Sequence, residues 1–350
     1  MIEPSLVNFL GHGLERPECV LAHASGHLFA ADWRGDGGVA VVAPDGSVRR
    51  ITAHGVPTPL RPNGIALQAE GTFLLAHLGD ERGGVFRLFA DGRTEAVLTE
   101  VEGRPLPPAN FVLLDRSGRL WVTVSTRRVP RHDAARPGVA DGFIVVMPPG
   151  GPPRIVADGL GYTNECVVSV DGRHLYVNET FGKRLSRFEI EDDGSLGPRE
   201  TVAVFGEGTF PDGLAADAEG GLWITSIVSN RVVRVAPDGT AETVLEDCDR
   251  SLVAQTEAMF RRDGLDTARL GLRHGKVLAN LSSLAFGGEG LRTAYLGCLA
   301  GDAIASVDVP IAGAELVHWR ADLAPLEEAG VIVAPQGQPT AAASYPPLSD

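Results

Sequence analysis

The sequence predicts an all-β fold: a six-bladed β-propeller of four-stranded antiparallel blades, with a short helical insertion before blade six. Three observations predict it. A strand, glycine turn, strand unit recurs as "ASGHLFAAD", "AEGTFLLAH", "RSGRLWVTV", "VDGRHLYVN", "AEGGLWITS" and "GEGLRTAYLG". Its turn glycines are Gly26, Gly71, Gly118, Gly172, Gly220 and Gly290, with intervals from 45 residues (Gly26 to Gly71) to 54 (Gly118 to Gly172) and one of 70 (Gly220 to Gly290). A period near 45 residues with several short strands per unit is the pattern of propeller blades. No amphipathic helix alternates with the strands, which disfavours a parallel α/β sheet.

The elements follow in order. Each unit continues into a second strand pair, as in "GVAVVAPDGSVRRI", "GVFRLFADGRTEAVL", "LSRFEIEDDGSLGPRETVAVF" and "RVVRVAPDGTAETVL", turning at Asp-Gly or nearby. The propeller is expected over residues 1–320. The long last interval holds an insertion at about 246–281. There "SLVAQTEAMFRRDG" places Leu252, Thr256, Met259 and Phe260 on one helical face and ends at Gly264, and "DTARLGL" adds a second short helix. Residues 321–350, rich in Pro, Ala and Ser, read as an extended tail.

Bulk properties narrow the function. The chain has 350 residues, 44% hydrophobic and 22% charged, and a net charge of −14. A surface this negative repels phosphate backbones and anionic lipid, so neither nucleic acid nor a membrane is an expected partner. The N-terminus lacks a basic, then apolar, leader pattern, and Cys19, Cys166, Cys248 and Cys298 are scattered without a Cys-x-x-Cys pair. Free thiols and a cytoplasmic location are the expectation.

Eight residues before each turn glycine stand Glu18, Asn63, Asn110, Asn164, Asp212 and Ser282, all oxygen-bearing. The first strand of each blade lines the central channel, so equivalent positions form a ring about one axis. Taken singly, each is equally a turn residue at the head of a strand. In register, three amides and two carboxylates facing one another call for a positive charge between them. A hard divalent cation meets that need. Calcium is the first expectation, with magnesium, manganese and zinc as alternatives.

These motifs resemble the regucalcin/gluconolactonase family of six-bladed propellers. "RPECVLAHASGHLFAADW" is similar to its first blade, and "YTNECVVSVDGRHLYVNET" and "FPDGLAADAEGGLWITSIVSNRVVRVAPDG" to its fourth and fifth. The resemblance implies that Glu18, Asn164 and Asp212 bind a divalent metal, with Asn110 either a fourth ligand or a substrate contact. It covers roughly residues 12–320. Two departures stand out. The family's Asn-Gly is Asn110-Phe111 and Asn164-Glu165 here, and Pro108-Ala109 replaces a basic residue before Asn110, which argues against sugar-acid lactones.

A four-stranded antiparallel blade starts and ends on one face, so the loops after each second strand open on the metal face. They carry Trp33, His77, Arg127, Glu179 and Ser229, and the third, "STRRVPRHDAARPGVADG", is long. Trp33, His77, Arg127 and Glu179, together with Asn63, Asn110 and Ser282, are the candidate substrate contacts. His77 is either a general acid or base or a hydrogen-bonded strand histidine. By the same parity the insertion lies over the metal face, as a lid or as a helix on the flank. The expected reaction is metal-dependent opening of a lactone by metal-activated water, with Asp212 or Glu18 helping to deprotonate the water. Hydrolysis of a phosphoester or fluorophosphate at the same metal, and calcium or ligand binding without catalysis, are the alternatives.

Overall fold

A computed structural model describes residues 1–55, 57, 59–265, 272, 273 and 275–332. It is a six-bladed propeller of four-stranded antiparallel sheets. The inner strands of blades one to six are Val20–Ala22, Pro62–Leu67, Ala109–Leu114, Thr163–Val168, Phe210–Ala216 and Leu281–Gly287. Each runs to a tight turn and pairs back with the strand that follows. In blades three and five the turn is fixed from inside. Asp115 accepts from the Trp121 indole (2.9 Å) and from Arg119 Nε (2.7 Å). Asp217 accepts likewise from Trp223 (2.9 Å) and Arg234 Nε (2.7 Å). That is the physical content of the repeated Asp, turn, Leu-Trp pattern: the carboxylate satisfies a buried indole N–H that would otherwise lack a partner.

The core is divided into slabs between neighbouring blades. Ala66, Val85, Val112 and Val122 fill one between blades two and three. Val167, Leu185, Leu214 and Ile224 fill that between four and five. Small and β-branched residues alternate with larger ones, so each twisted sheet packs face-on against the next.

Blade six holds a feature that the repeat does not show. Its inner three strands, ending with Ile304–Asp308, are completed by Asn8–Leu10, in register Asn8 with Ser306 and Leu10 with Ile304. The N-terminal strand thus closes the ring.

The helix α1, Arg250–Asp263, forms as expected. Asp249 caps it by accepting from the N–H groups of Ser251 and Leu252, and Gly264 ends it at φ 91°. Its buried face is rotated from the expected one. Val253, Thr256, Glu257 and Phe260 are buried, whereas Leu252 and Met259 are half-buried. Glu257 turns inward because it pairs with Lys183 Nζ (2.6 Å) and accepts from Gly208 N (2.9 Å). The second helix expected over 266–272 falls on residues 266–271, outside those described.

The segment after residue 320 departs from the extended tail. Ala324–Glu328 is a short helix, α2, and Leu323, Leu326 and Ile332 are buried against blade-one and blade-two residues. Composition pointed to a tail, yet three spaced apolar residues suffice to dock it. Residues 333–350 lie outside the described range. All four cysteines are free. Among the described residues, no helix is long and apolar enough to cross a membrane.

The docked segment brings His318 toward His23, whose Nε2 lies 2.9 Å from the Ala321 carbonyl oxygen. Burial, and then the neighbouring His23, lowers the His318 pKa to about 4. The folded state therefore resists a proton that the unfolded chain takes near pH 6.5. The stability His318 contributes is complete above that pH and is lost as pH falls toward 4. The drop in melting temperature from pH 7 to pH 5 should accordingly be smaller in His318→Gln than in the parent. Equal drops in differential scanning calorimetry would refute this.

Candidate active site

The inner strands share a local irregularity. Their pairing slips between Pro62 and Ile65, Ala109 and Phe111, Thr163 and Cys166, Pro211 and Leu214, and Leu281 and Ser283. Asn63, Asn110, Asn164, Asp212 and Ser282 each sit at such a bulge, and Glu18 lies just before the blade-one strand. A bulge releases its residue from the ladder and re-aims the side chain. Proline is tolerated there because the N–H it lacks is not needed for pairing. Pro-Asn-Gly and Pro-Asp-Gly are therefore bulge sequences. Their glycines allow close approach: a Cβ on Gly64 would come within 2.7 Å of the Phe111 backbone, and one on Gly213 within 2.6 Å of that of Ser283.

All six ring residues are buried, at 1 to 6% exposure. Hydrogen bonds knit neighbouring blades together around them. Asn63 Nδ2 donates to the Asn110 carbonyl (3.0 Å), and the Ser282 hydroxyl donates to that of Glu18 (2.9 Å). Asn164 Nδ2 donates to Thr180 Oγ1 (2.9 Å), which donates to the Pro211 carbonyl (2.8 Å). Nδ2 of Asn63 and of Asn164 is thus committed, and Oδ1 of Asn63, Asn110 and Asn164 is left buried with no hydrogen-bond partner among the described residues. An unpaired buried acceptor costs about 1–3 kcal/mol. Three in one ring, beside two carboxylates, form a donor set that suits a hard cation. Among the described residues, no cluster of three or more His, Cys, Asp or Glu is arranged for a metal. This ring instead offers two carboxylates and neutral amide oxygens, as a calcium site does.

The electrostatics agree. Burial, then the charges of Glu18 and Glu165, push the Asp212 carboxyl well above its ordinary pKa, against Arg16 and the Asn164 amide. Arg16 Nη2 pairs with Glu18 Oε2 at 2.7 Å, and its guanidinium lies 4.6 Å from the Trp33 ring centre. Burial raises Glu165 to about 8.

The loop candidates divide. His77 pairs in register with Pro62, beside Asn63. Its Nδ1 accepts from Arg61 N at 3.0 Å, and burial, then Arg61, lowers its pKa to about 4, so it is neutral with the proton on Nε2. Trp33 is half-buried and donates to the Pro62 carbonyl (2.7 Å). Arg127 is engaged with both Asp158 oxygens (2.6 and 2.8 Å). Glu179 is fully buried. Burial opposes its ionisation, but Arg184, the Gly161 N–H and Ser186 outweigh that and hold the carboxyl below its usual range. Ser229 bonds to Ser226 Oγ (2.9 Å). Arg127, Glu179 and Ser229 thus have their polar groups engaged within the protein.

Three residues were missed by sequence reasoning. Asn178 donates to the carbonyls of Asp212 and Gly213 (3.0 Å each), fixing the Asp212 bulge. Thr180 props Asn164. Arg16 covers Glu18. The polar run Asn178-Glu179-Thr180, at the end of an otherwise apolar strand, was the available signal.

The insertion lies at the ring's end of the blades. Phe260 of α1 packs edge-on against Phe210 (5.3 Å, 88°) and stacks on Phe181 (5.6 Å, 28°). Phe210 stands two residues before Asp212. The long third loop joins the same cluster through Ala134 and Ala135, and Leu265 N donates to the Ala135 carbonyl (2.5 Å).

The sequence pattern described as "SMP-30/Gluconolactonase/LRE-like region" matches residues 17–247, which include five of the six ring positions. The chain belongs to this family. Among curated gluconolactonase-type relatives, a 6-deoxy-6-sulfogluconolactonase from Pseudomonas putida is 28% identical over 233 residues, 66% of either chain. The matches span two thirds or less of the length of the curated relatives. Similar folds include a gluconolactonase from Xanthomonas campestris (TM-score 0.61, 21% identity, 85% of this chain and 89% of that one). Another is a calcium-binding regucalcin from Agrobacterium tumefaciens (TM-score 0.59, 18% identity, 89% and 98%).

Proposed function

We propose that this member of the gluconolactonase-like family is a lactonase that hydrolyses a cyclic ester at a divalent cation, calcium first among the candidates. The observation that carries the reading is the ring itself, with two buried carboxylates beside three amide oxygens that lack hydrogen-bond partners among the described residues. The family and the named Pseudomonas relative support a lactone as substrate. Glu18, Asp212 and Asn164 would hold the cation, with Asn110 a fourth ligand or a substrate contact. When bound, it supplies Lewis acidity toward a carbonyl and acidifies water.

The protein's own residues do the rest. Arg16 shares the charge of Glu18 at Oε2. Asp212 has no ion pair among the described residues, so its carboxylate is the better placed of the two to take the proton of the attacking water. Neutral His77 keeps its proton on Nε2, next to Gly79 in the blade-two loop, and is a donor there. The aromatic cluster under α1 excludes bulk water from the mouth, which strengthens every charge interaction inside.

Hydrolysis of a lactone panel, with and without chelator, tests this. Turnover should require the cation. Phosphotriester but no lactone turnover would favour the phosphoester reading, and calcium binding without any turnover a binding protein. Asn63 contributes a neutral oxygen only. Asn63→Ala should raise KM several-fold while calorimetric calcium affinity stays within about threefold, since carboxylates dominate cation binding. Loss of calcium in that variant would mean a more symmetric site.

A further inference from the structure

Below the ring, the channel widens into a cavity of about 280 Å³. It opens on the face opposite the ring, between the turns Asp115–Arg119 and Ser169–Gly172 and the segment Ala314–His318. None of the six ring residues lines it. Its walls are apolar, including Val20, Leu67, Val112, Val168, Leu214 and Leu284.

The inner end differs. There four lining residues each directly follow a ring position: Cys19, Phe111, Glu165 and Ser283. Glu165 is only 5% exposed. Its Oε2 accepts from Leu214 N at 2.9 Å, and Ser283 supplies a second hydrogen bond. A carboxyl group has more hydrogen-bonding positions than these two bonds use. Glu165 bonds to no basic side chain among the described residues and reaches the cavity. Burying a carboxyl where an apolar side chain would fit is costly unless something bonds to it.

We propose that this cavity is a second ligand site, for a small apolar molecule with one hydrogen-bond-donating head group, hydroxyl or ammonium, directed at Glu165. At ~30 Å³ for each water-sized unit, the space suits about ten non-hydrogen atoms. The body of the ligand fills the Leu and Val walls, and the head completes the hydrogen bonding of the carboxyl. This site needs neither the cation nor lactone turnover.

The test uses 2-phenylethanol and 2-phenylethylamine as matched probes, titrated calorimetrically into the full chain with chelator present. At least one should bind saturably at one site, and the tighter of the two identifies the head group. Glu165→Leu should weaken that binding at least tenfold. Val168→Trp, which fills the wall, should abolish it, and Asp212→Ala should leave it unchanged. Should Glu165→Leu fail to fold, the isosteric Glu165→Gln should still weaken binding several-fold. Saturable binding of neither probe, or binding indifferent to both the Glu165 and the Val168 substitutions, overturns the proposal. So does equal affinity for ethylbenzene, which lacks a head group.

Discussion

Asp212→Ala is expected to abolish lactone hydrolysis and calcium binding while the β-rich circular dichroism spectrum persists. Only two ring members carry formal charge, and Glu18 already shares its charge with Arg16. Removing Asp212 leaves amide oxygens, which hold a divalent cation weakly. A second variant, Asp212→Asn, should invert its stability relative to the parent with conditions. In chelator, burial and neighbouring acids make ionised Asp212 a burden on the fold, as its raised pKa records. Asp212→Asn should then melt no lower than the parent, and at pH 8 higher. In saturating calcium the parent gains binding energy and the order reverses. Full metal content and turnover in either variant would defeat the ring hypothesis.

Replacing residues 250–275 with a short Gly-Ser linker should raise KM for alkyl-substituted lactones by an order of magnitude or more. γ-Butyrolactone should be affected far less, because it is too small to reach the aromatic wall. Helix α1 supplies Phe260 to the Phe181–Phe210 cluster and Glu257 to Lys183. Every proposed ligand lies outside the segment, so calcium affinity should survive. Phe260→Ala alone should cost about 3–5 kcal/mol of stability, as a buried aromatic truncation does. Equal KM changes for both lactone classes, or none, would mean that the insertion only stabilises the fold.

The blades were legible because their signals are local. A glycine turn between two apolar strands is written within ten residues, and its recurrence gives the count. The ring positions were legible for the same reason, since a fixed strand length separates each from its turn. The bulges that aim the ring side chains depend on pairing with a second strand. Only Pro-Asn-Gly and Pro-Asp-Gly hinted at them. Glu165 could be seen as a departure from Asn-Gly, but its burial beside Leu214 and Ser283 belongs to three different blades. The face of α1 was misplaced by one position because an ion pair with Lys183 drew a charged residue inward. The docking of Leu323 and Leu326 was hidden by the composition around them.

Asn8–Leu10 and Ile304–Asp308 stand at opposite ends of the repeat yet share one sheet. On the ribosome, the first strand emerges long before the strands it must join. Five blades can assemble behind it while it waits unpaired, with Phe9 still partly exposed even in the finished sheet. Circularisation is therefore a late event that joins the two ends of the repeat, and contacts of such large sequence separation form slowly. A nascent chain stalled before residue 304 would hold an open arc with two bare sheet edges, the kind of surface that recruits other strands.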